Sequence, residues 1–188
     1  MDILLLGPPG AGKGTQGAIL SQALGLPKFA TGDLLRDAVA RGTPLGLQAK
    51  GMMESGHLVP DDLILGIVRD ELAKPEAAGG VIFDGVVRTT PQAEGMAALL
   101  AERGRSMTHV LFFDVDDTAI IERLARRREL ETRADDDPSA VAIRLAAYRD
   151  LTAPVLAWYA VRGGVTRIDA VGTVDEIAAR TLAAVSSA

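Results

Sequence analysis

Short apolar runs that alternate with long helix-like segments restrict the fold of this 188-residue chain more than any other feature. Three runs are wholly apolar, at residues 3–6, 81–83 and 110–113, and a fourth candidate strand spans 165–168. Such runs are typical of strands that are buried on both faces of a parallel sheet. Strands that alternate with helices predict right-handed βαβ units, and therefore an α/β fold with helices on both faces of the sheet.

Length and composition fit one ordinary globular domain. The chain is 48% hydrophobic and 24% charged, which excludes a disordered or fibrous protein. Its formal net charge of −5 disfavours a general binder of nucleic acid or of anionic membranes, and the absence of cysteine excludes disulfides and thiolate zinc sites. No stretch has the 18 apolar residues of a membrane span, and the first ten residues do not resemble a signal peptide. We therefore expect a cytoplasmic protein.

Two segments interrupt the alternation. Residues 30–75 contain three helical patterns and no clear strand, and an all-helical insertion of this kind usually covers a ligand. Residues 126–138 are dense in charge and poor in apolar side chains, which predicts a solvated loop. We also expect Arg103 and Arg105 to lie on an exposed turn.

The strongest chemical signal is the glycine-rich run Gly7-Pro8-Pro9-Gly10-Ala11-Gly12-Lys13-Gly14-Thr15, between the first strand and a helix. Glycines let successive backbone N–H groups turn inward around a phosphate, and the helix N-terminus adds a partial positive charge. Lys13 can then reach the outer phosphates. The general motif has Ser or Thr directly after the lysine, so the intervening Gly14 weakens the case for direct magnesium ligation by Thr15. The alternative is a plain strand–helix turn with a solvated lysine.

Further motifs follow in an order and at a spacing that resemble those of nucleoside monophosphate kinases. They are Thr31–Arg36, Gly56–Pro60, Phe83–Gly85, Arg88–Thr89, Gln92, Arg123, Arg127, Arg133–Asp136, Arg144 and Ala170–Thr173. The similarity runs from Met1 to about Ala183, and the short stretch between Arg127 and Arg133 resembles the short-lid adenylate kinases. The resemblance implies a P-loop parallel sheet with helices on both faces, a helical monophosphate-binding insertion and a short lid loop.

The same resemblance implies one domain and one reaction. The core would comprise residues 1–29, 60–125 and 138–188, the insertion about 30–59 and the lid about 126–137. The reaction would be Mg²⁺-dependent, reversible transfer of the ATP γ-phosphoryl group to AMP, giving two ADP, in adenine nucleotide homeostasis and salvage. The partners would be ATP, AMP and ADP, with no nucleic acid or membrane, and the protein would be a monomer.

Residue roles are also implied by the resemblance. Those expected at ATP are Gly10, Ala11, Gly12, Lys13, Gly14, Thr15, Arg123, Arg127 and Gly172. Those expected at AMP are Thr31, Arg36, His57, Leu58, Val59, Gly85, Val86, Val87, Arg88, Gln92, Arg133 and Arg144. Those expected to act in catalysis are Lys13, Arg88, Arg127, Arg133 and Arg144. Asp135 and Asp136 would orient the lid arginines, and no residue would bind the metal directly, with Asp84 and Thr15 reaching Mg²⁺ through water.

Taken singly, these residues have simpler interpretations. Thr31 or Asp84 could each be the N-cap of a following helix. Arg126–Arg128 could be a self-paired, solvated charge run with the glutamates that follow, and Arg144 could face solvent. Thr31 and Gln92 favour adenine, because related pyrimidine kinases usually carry other residues there. A UMP or CMP kinase and a non-catalytic P-loop nucleotide-binding module remain the alternative functions.

The chain departs from the family between Gly85 and Arg88. The family usually has a large residue followed by proline in a cis peptide bond, whereas this chain has Val86-Val87. A non-proline cis bond costs about 2.5–4 kcal/mol, so a trans bond is expected here. Because this loop would lie along AMP, we expect weakened AMP affinity and little change for ATP.

Overall fold

The computed structural model describes residues 1–131 and 136–186. Within these ranges five strands form one parallel sheet in the order β2-β3-β1-β4-β5. The strands are β1 (Asp2–Leu6), β2 (Lys28–Ala30), β3 (Val81–Asp84), β4 (His109–Asp114) and β5 (Thr166–Asp169).

Helices connect the strands and cover both faces of the sheet, which confirms the predicted α/β class. The α-helices are α1 (Lys13–Leu24), α2 (Thr31–Ala40), α3 (Pro44–Glu54), α4 (Asp61–Leu72), α5 (Thr90–Ala101), α6 (Asp117–Glu131), α7 (Pro138–Ala147), α8 (Ala153–Ala160) and α9 (Val174–Ser186). A 3₁₀ turn spans Pro75–Ala77, and a π-helical turn at Tyr148–Thr152 joins α7 to α8. In the part of the chain that the structure describes, no helix is both long and apolar enough to cross a membrane.

The central strand β1 separates two cores. Leu4 and Leu6 belong to the larger core, with residues of α4, α5 and α8, whereas Ile3 and Leu5 belong to a second core with residues of α1 and α9. Successive side chains of a strand point to opposite faces, so an apolar run without alternation is what a strand covered on both sides requires.

Strand β2 was not predicted from the sequence. It has three residues at the sheet edge, and Phe29 lies beside Phe83 of β3 in register. Three residues are too few to show a two-residue period, so pairing with β3 defines this strand more than its own sequence does. Helix α2 begins directly after it, at Thr31.

The helix pair α2–α3 fills residues 31–54, where the sequence predicts helices without strands. Thr43 caps α3 by accepting a hydrogen bond from the Gly46 N–H at 3.1 Å. The two helices meet at Gly46, where a Cβ atom would lie 2.1 Å from the Ala38 carbonyl oxygen. Glycine is therefore what allows α3 to approach α2 so closely.

The prediction of a solvated loop from residue 126 is wrong for residues 126–131, which form the last turns of α6. Arginine, glutamate and leucine are good helix formers, so a charged stretch continues a helix even when little of it is buried. Ile120 and Leu124 bury one face, while Leu130 is 75% exposed. Charge density indicated exposure correctly but did not indicate a loop.

The expectation that Arg105 lies on an exposed turn is also wrong. Its guanidinium forms a bidentate pair with Asp2, with Nε donating to Oδ2 at 2.8 Å, and it also donates to the Ala77 carbonyl at 2.8 Å. The Asp2 side chain is only 3% exposed. In the sequence, Asp2 is a single acidic residue before an apolar run, and nothing in that pattern indicates that it pairs with Arg105, about 100 residues away. Arg103, in contrast, donates only locally, to the Leu99 carbonyl.

Candidate active site

A cavity of about 800 Å³ opens at the carboxyl ends of the strands. The segments that follow β1, β2, β3 and β5 all contribute to its wall. This edge is where open α/β sheets bind ligands, because the loops and helix N-termini of neighbouring units converge there. The volume lies within the range of small-molecule sites.

The glycine-rich loop lies between β1 and α1, as predicted. Gly10 and Gly12 have φ of +82° and +89°, a backbone conformation that other residues rarely adopt. Gly12 precedes α1, so the loop runs directly into a helix N-terminus. Gly10, Gly12, Lys13, Gly14 and Thr15 line the cavity, whereas Ala11 is fully buried against the second core.

The Lys13 ammonium folds back on this loop. Its Nζ donates to the carbonyl oxygens of Gly7 and Pro8 at 2.7 and 2.8 Å. Desolvation by burial is the main reason that the pKa of Lys13 is lowered to about 8; the carboxylate of Asp84 opposes this shift, and the charges of Arg88, Arg144 and Arg127 contribute to it. Among the described residues that line the cavity, Lys and Arg outnumber Asp and Glu, which suits a polyanionic ligand.

The other end of the cavity is built by the loop after β3 and the start of α2. The Thr31 hydroxyl donates to the Gly85 carbonyl at 2.9 Å, which ties the two segments together. Gln92 accepts the Arg88 backbone N–H at 2.7 Å. Together with Leu58, these residues form a wall that has both apolar groups and fixed polar groups.

The peptide bond between Val86 and Val87 is trans, as expected from the sequence. Both side chains are buried in the larger core. Val86 also lines the cavity, whereas Val87 does not. The effect of this pair on AMP affinity stays a prediction.

Helices α6 and α7 contribute four of the described arginines to the cavity: Arg123, Arg126, Arg127 and Arg144. Asp136, whose side chain is fully buried, accepts from Arg127 at 2.6 and 2.5 Å and from Arg144 at 3.0 Å. The two guanidinium groups hold the pKa of Asp136 below its usual value, although burial opposes the shift. Arg123 donates to the Ala170 carbonyl at 2.7 Å, beside the turn that contains Gly172.

The remaining predicted residues occupy the rim. Arg36 lines the cavity and pairs with Asp33 at 2.5 Å, and His57 contacts the Ser55 hydroxyl at 2.9 Å. Val59 and Gly85 also line the cavity. Arg133 and Asp135 lie outside the described residues.

The simpler interpretations of Thr31, Asp84, Arg127 and Arg144 do not fit the structure, whereas Arg126 and Arg128 are exposed, as a solvated charge run predicts. The residue before α2 is Ala30, so Thr31 is not its N-cap, and Thr89 rather than Asp84 caps α5. Arg127 pairs with Asp136 and faces the cavity, and the Arg144 side chain is 15% exposed. Thr31, Asp84, Arg127 and Arg144 all line one cavity.

The residues of this site fit a Mg²⁺ ion that is bound together with the phosphates of a ligand. Among the described residues no three His, Cys, Asp or Glu side chains are grouped to hold a metal ion. Asp84 lies at the cavity, and a Cβ on Gly14 would be 3.5 Å from its Oδ2. Magnesium keeps several waters and is commonly held by one carboxylate together with substrate phosphates, so one carboxylate beside the glycine-rich loop suffices.

The polar residues that were not identified from the sequence include Gln16, at the cavity, and Asp61, behind its wall. Gln16 is 2% exposed, lines the cavity and donates to the Val174 carbonyl at 3.0 Å. Asp61 accepts from the Gln92 amide at 2.8 Å. Neither belongs to a spaced charge pattern, and only the tertiary contacts reveal them.

A glycine-rich loop between β1 and α1, a lysine at the helix start and converging arginines define the class: a P-loop nucleotide-binding α/β protein. The adenylate kinase family model matches residues 5–164. The chain is 50% identical to an adenylate kinase of Thermus thermophilus, over 97% of this chain and 95% of the relative. It is 47% identical to that of Stenotrophomonas maltophilia over the whole of both chains, and 46% identical to that of Gemmatimonas aurantiaca over 98% of each. The chain belongs to the adenylate kinase family.

Proposed function

We propose that this protein catalyses the reversible transfer of the ATP γ-phosphoryl group to AMP, which gives two ADP. The observation that carries the proposal is one cavity lined by two separate groups of cations. The glycine-rich loop contributes Lys13, and the segments that form the acceptor wall contribute Arg36 and Arg88. A simple nucleotide binder has no need of the second group.

The chemistry needs positioning and charge neutralisation more than it needs a general base. A phosphate with a second pKa of about 6 is largely dianionic at neutral pH and is already a nucleophile. Phosphoryl transfer places negative charge on the transferred group, so cations that are fixed before the reaction lower its barrier. Holding both nucleotides in one cavity also replaces a bimolecular encounter by an oriented one.

We propose the roles of the individual residues from the family resemblance, and the positions of the described residues at the cavity support these roles. Lys13 would contact the transferring phosphate from the loop, and Arg88 would hold the AMP phosphate together with Arg36. Arg127 and Arg144, which Asp136 holds side by side, would stabilise charge between the two nucleotides. The family resemblance adds Arg133 to this group, with Asp135 beside Asp136.

Further roles concern the bases and the metal. Arg123 and Gly172 would lie near the adenine of ATP, and Thr31 and Gln92 near that of AMP. Asp84, and Thr15 through water, would hold Mg²⁺ on the ATP phosphates. Bound there, Mg²⁺ would neutralise phosphate charge.

The two segments that interrupt the alternation would close over the substrates. Residues 30–59 would cover AMP, and residues 126–137 would cover ATP as a short lid. Closure would keep water from competing for the phosphoryl group. We further propose a cytoplasmic monomer that serves adenine nucleotide homeostasis and salvage.

The test is to measure nucleoside diphosphate formation from MgATP with AMP, UMP, CMP and GMP in turn. We expect turnover with AMP to exceed that with the other acceptors. Preferred turnover of UMP or CMP would assign the protein to pyrimidine nucleotides. No turnover with any acceptor would contradict a kinase function and favour a binding module.

A further inference from the structure

Gln92, in the first turn of α5, is held at both ends of its side-chain amide. Its Oε1 accepts the Arg88 backbone N–H at 2.7 Å, and its Nε2 donates to Asp61 Oδ1 at 2.8 Å. The residue is 2% exposed, yet it lines the cavity at the acceptor end. Asp61 does not line the cavity, so it acts there through Gln92.

The two partners determine which position the Oε1 atom of Gln92 occupies and which position its Nε2 atom occupies. A backbone N–H can only donate, and an ionised carboxylate can only accept. A flipped amide would place its carbonyl oxygen against the carboxylate of Asp61 and its NH₂ group against the N–H of Arg88. Both contacts would then be repulsive, so Gln92 has one stable orientation.

An amide with a fixed orientation distinguishes purines. A primary amide has two N–H donors and two acceptor lone pairs, and among the described residues each partner uses one donor or one lone pair. Adenine presents a donor at its 6-amino group beside an acceptor at N1. Hypoxanthine and guanine present the reverse, an acceptor at O6 beside a donor at N1. An amide that could flip would accept either pattern, and one that cannot flip favours one of them.

We propose that Asp61 is a positioning residue that fixes the Gln92 amide so that the acceptor site takes adenine in preference to 6-oxopurines. The inference rests on the proposed function, because it takes AMP as the acceptor. Asp61 is the first residue of α4, so the start of that helix is coupled to the base-recognition wall through a single side chain.

The test compares kcat/KM for AMP and for IMP at saturating MgATP in Asp61→Ala. IMP differs from AMP only at the 6-position and N1, so it isolates this contact. Loss of a hydrogen bond to a charged group should lower the AMP/IMP ratio about tenfold. A ratio that falls by less than fivefold, including an equal loss for both acceptors, would overturn the proposal and leave Asp61 a structural role.

Control variants separate orientation from stability. Asp62→Ala removes the neighbouring exposed acid from the same first turn and should leave the ratio unchanged. Asp61→Asn retains a carbonyl acceptor for Gln92 and should restore the ratio to within twofold of the unaltered protein. If either control behaves like Asp61→Ala, the proposal fails.

An isosteric double variant keeps the proposal testable even if Asp61→Ala does not fold. In Asp61→Asn with Gln92→Glu, the donor and the acceptor exchange places at nearly constant volume. The carboxylate would then face the base with acceptors only, so the AMP/IMP ratio should fall at least tenfold, and an unchanged ratio would overturn the proposal. Failure of the unaltered protein to phosphorylate AMP would instead contradict the proposed function itself.

Discussion

The protonation state of Lys13 depends on its surroundings in the site and can be measured as proton uptake when a nucleotide binds. The Lys13 ammonium donates to the carbonyl oxygens of Gly7 and Pro8, and desolvation by burial is the main reason that its pKa is lowered to about 8. Because the pKa lies below the ordinary lysine value of about 10.4, the free protein loses this charge as the pH rises through 8. The phosphates of a bound nucleotide favour the charged form and should restore it.

Nucleotide binding at pH 8 should therefore take up protons. We expect an uptake of about half a proton per ATP at pH 8, since a group at its pKa is half ionised. Calorimetry in two buffers with different ionisation enthalpies measures this quantity. Lys13→Met, which cannot ionise, should lose the uptake and lower kcat about a hundredfold. An equal uptake in Lys13→Met would show that another group takes up the proton.

Replacement of Arg88 by lysine should impair the reaction with AMP. The guanidinium is planar and can bind a phosphate at two points, whereas an ammonium is a single point charge. Arg88 Nε also donates to the Gly85 carbonyl at 3.0 Å, which fixes the side chain at the acceptor wall. We expect Arg88→Lys to lower kcat/KM for AMP about tenfold or more. Arg103→Lys, outside the cavity, should change it less than twofold, and equal values for the two variants would contradict the role of Arg88.

At the scale of elements, one buried carboxylate joins α6 to the last turn of α7. Asp136 accepts from Arg127 of α6 and from Arg144 of α7, and the pair holds its pKa below the usual value. A lowered pKa adds stability at pH values above the ordinary one. That contribution is lost as the pH falls through the depressed value.

Asp136→Asn should therefore destabilise the protein at neutral pH. Removing the carboxylate leaves two arginines together, and we expect a loss of about 2 kcal/mol, because both guanidinium groups are partly exposed. The difference from the unaltered protein should shrink as the pH falls below the ordinary pKa of an aspartate and through the depressed pKa of Asp136, where the wild-type carboxylate becomes protonated. Asp137→Asn is the control, since asparagine can still cap α7. Chemical unfolding from pH 3 to 7 makes the comparison, and a pH-independent difference would contradict the electrostatic explanation.

The sequence predicted correctly those features that residues adjacent in the chain determine. The strands β1, β3 and β4 and the glycine-rich loop follow from adjacent residues, and the structure has all of them. Strand β2 depends on pairing with β3, and the last turns of α6 depend on helix propensity that outweighs charge density. The contacts of Asp61 and Arg105 join segments far apart in the chain, and without pairing information no pattern of residue types predicts them.

At the scale of the whole molecule, the Asp2–Arg105 pair ties together the start of β1, the turn before β3 and the segment before β4. Asp2 Oδ1 also accepts the Val81 N–H at 3.2 Å, so the carboxylate joins three segments at the end of the sheet opposite to the cavity. The pair should therefore support the fold without contacting the nucleotides.

Arg105→Lys should lower the free energy of unfolding by about 1–3 kcal/mol and leave kcat/KM unchanged. Lysine keeps the charge but cannot satisfy both oxygens of Asp2 together with the Ala77 carbonyl. Denaturant unfolding of this variant beside Arg103→Lys measures the effect, because Arg103 has only local contacts. A stability equal to that of Arg103→Lys would show that the buried pair contributes nothing.

A single cavity is proposed to transfer a phosphoryl group between two nucleotides instead of passing it to water. The most direct test supplies AMP with ATP that is labelled in its γ-phosphate and follows the label. We predict that the label appears in the β-phosphate of the ADP formed from AMP, with two ADP formed for each ATP consumed. Label released as inorganic phosphate, with AMP unchanged, would contradict the account.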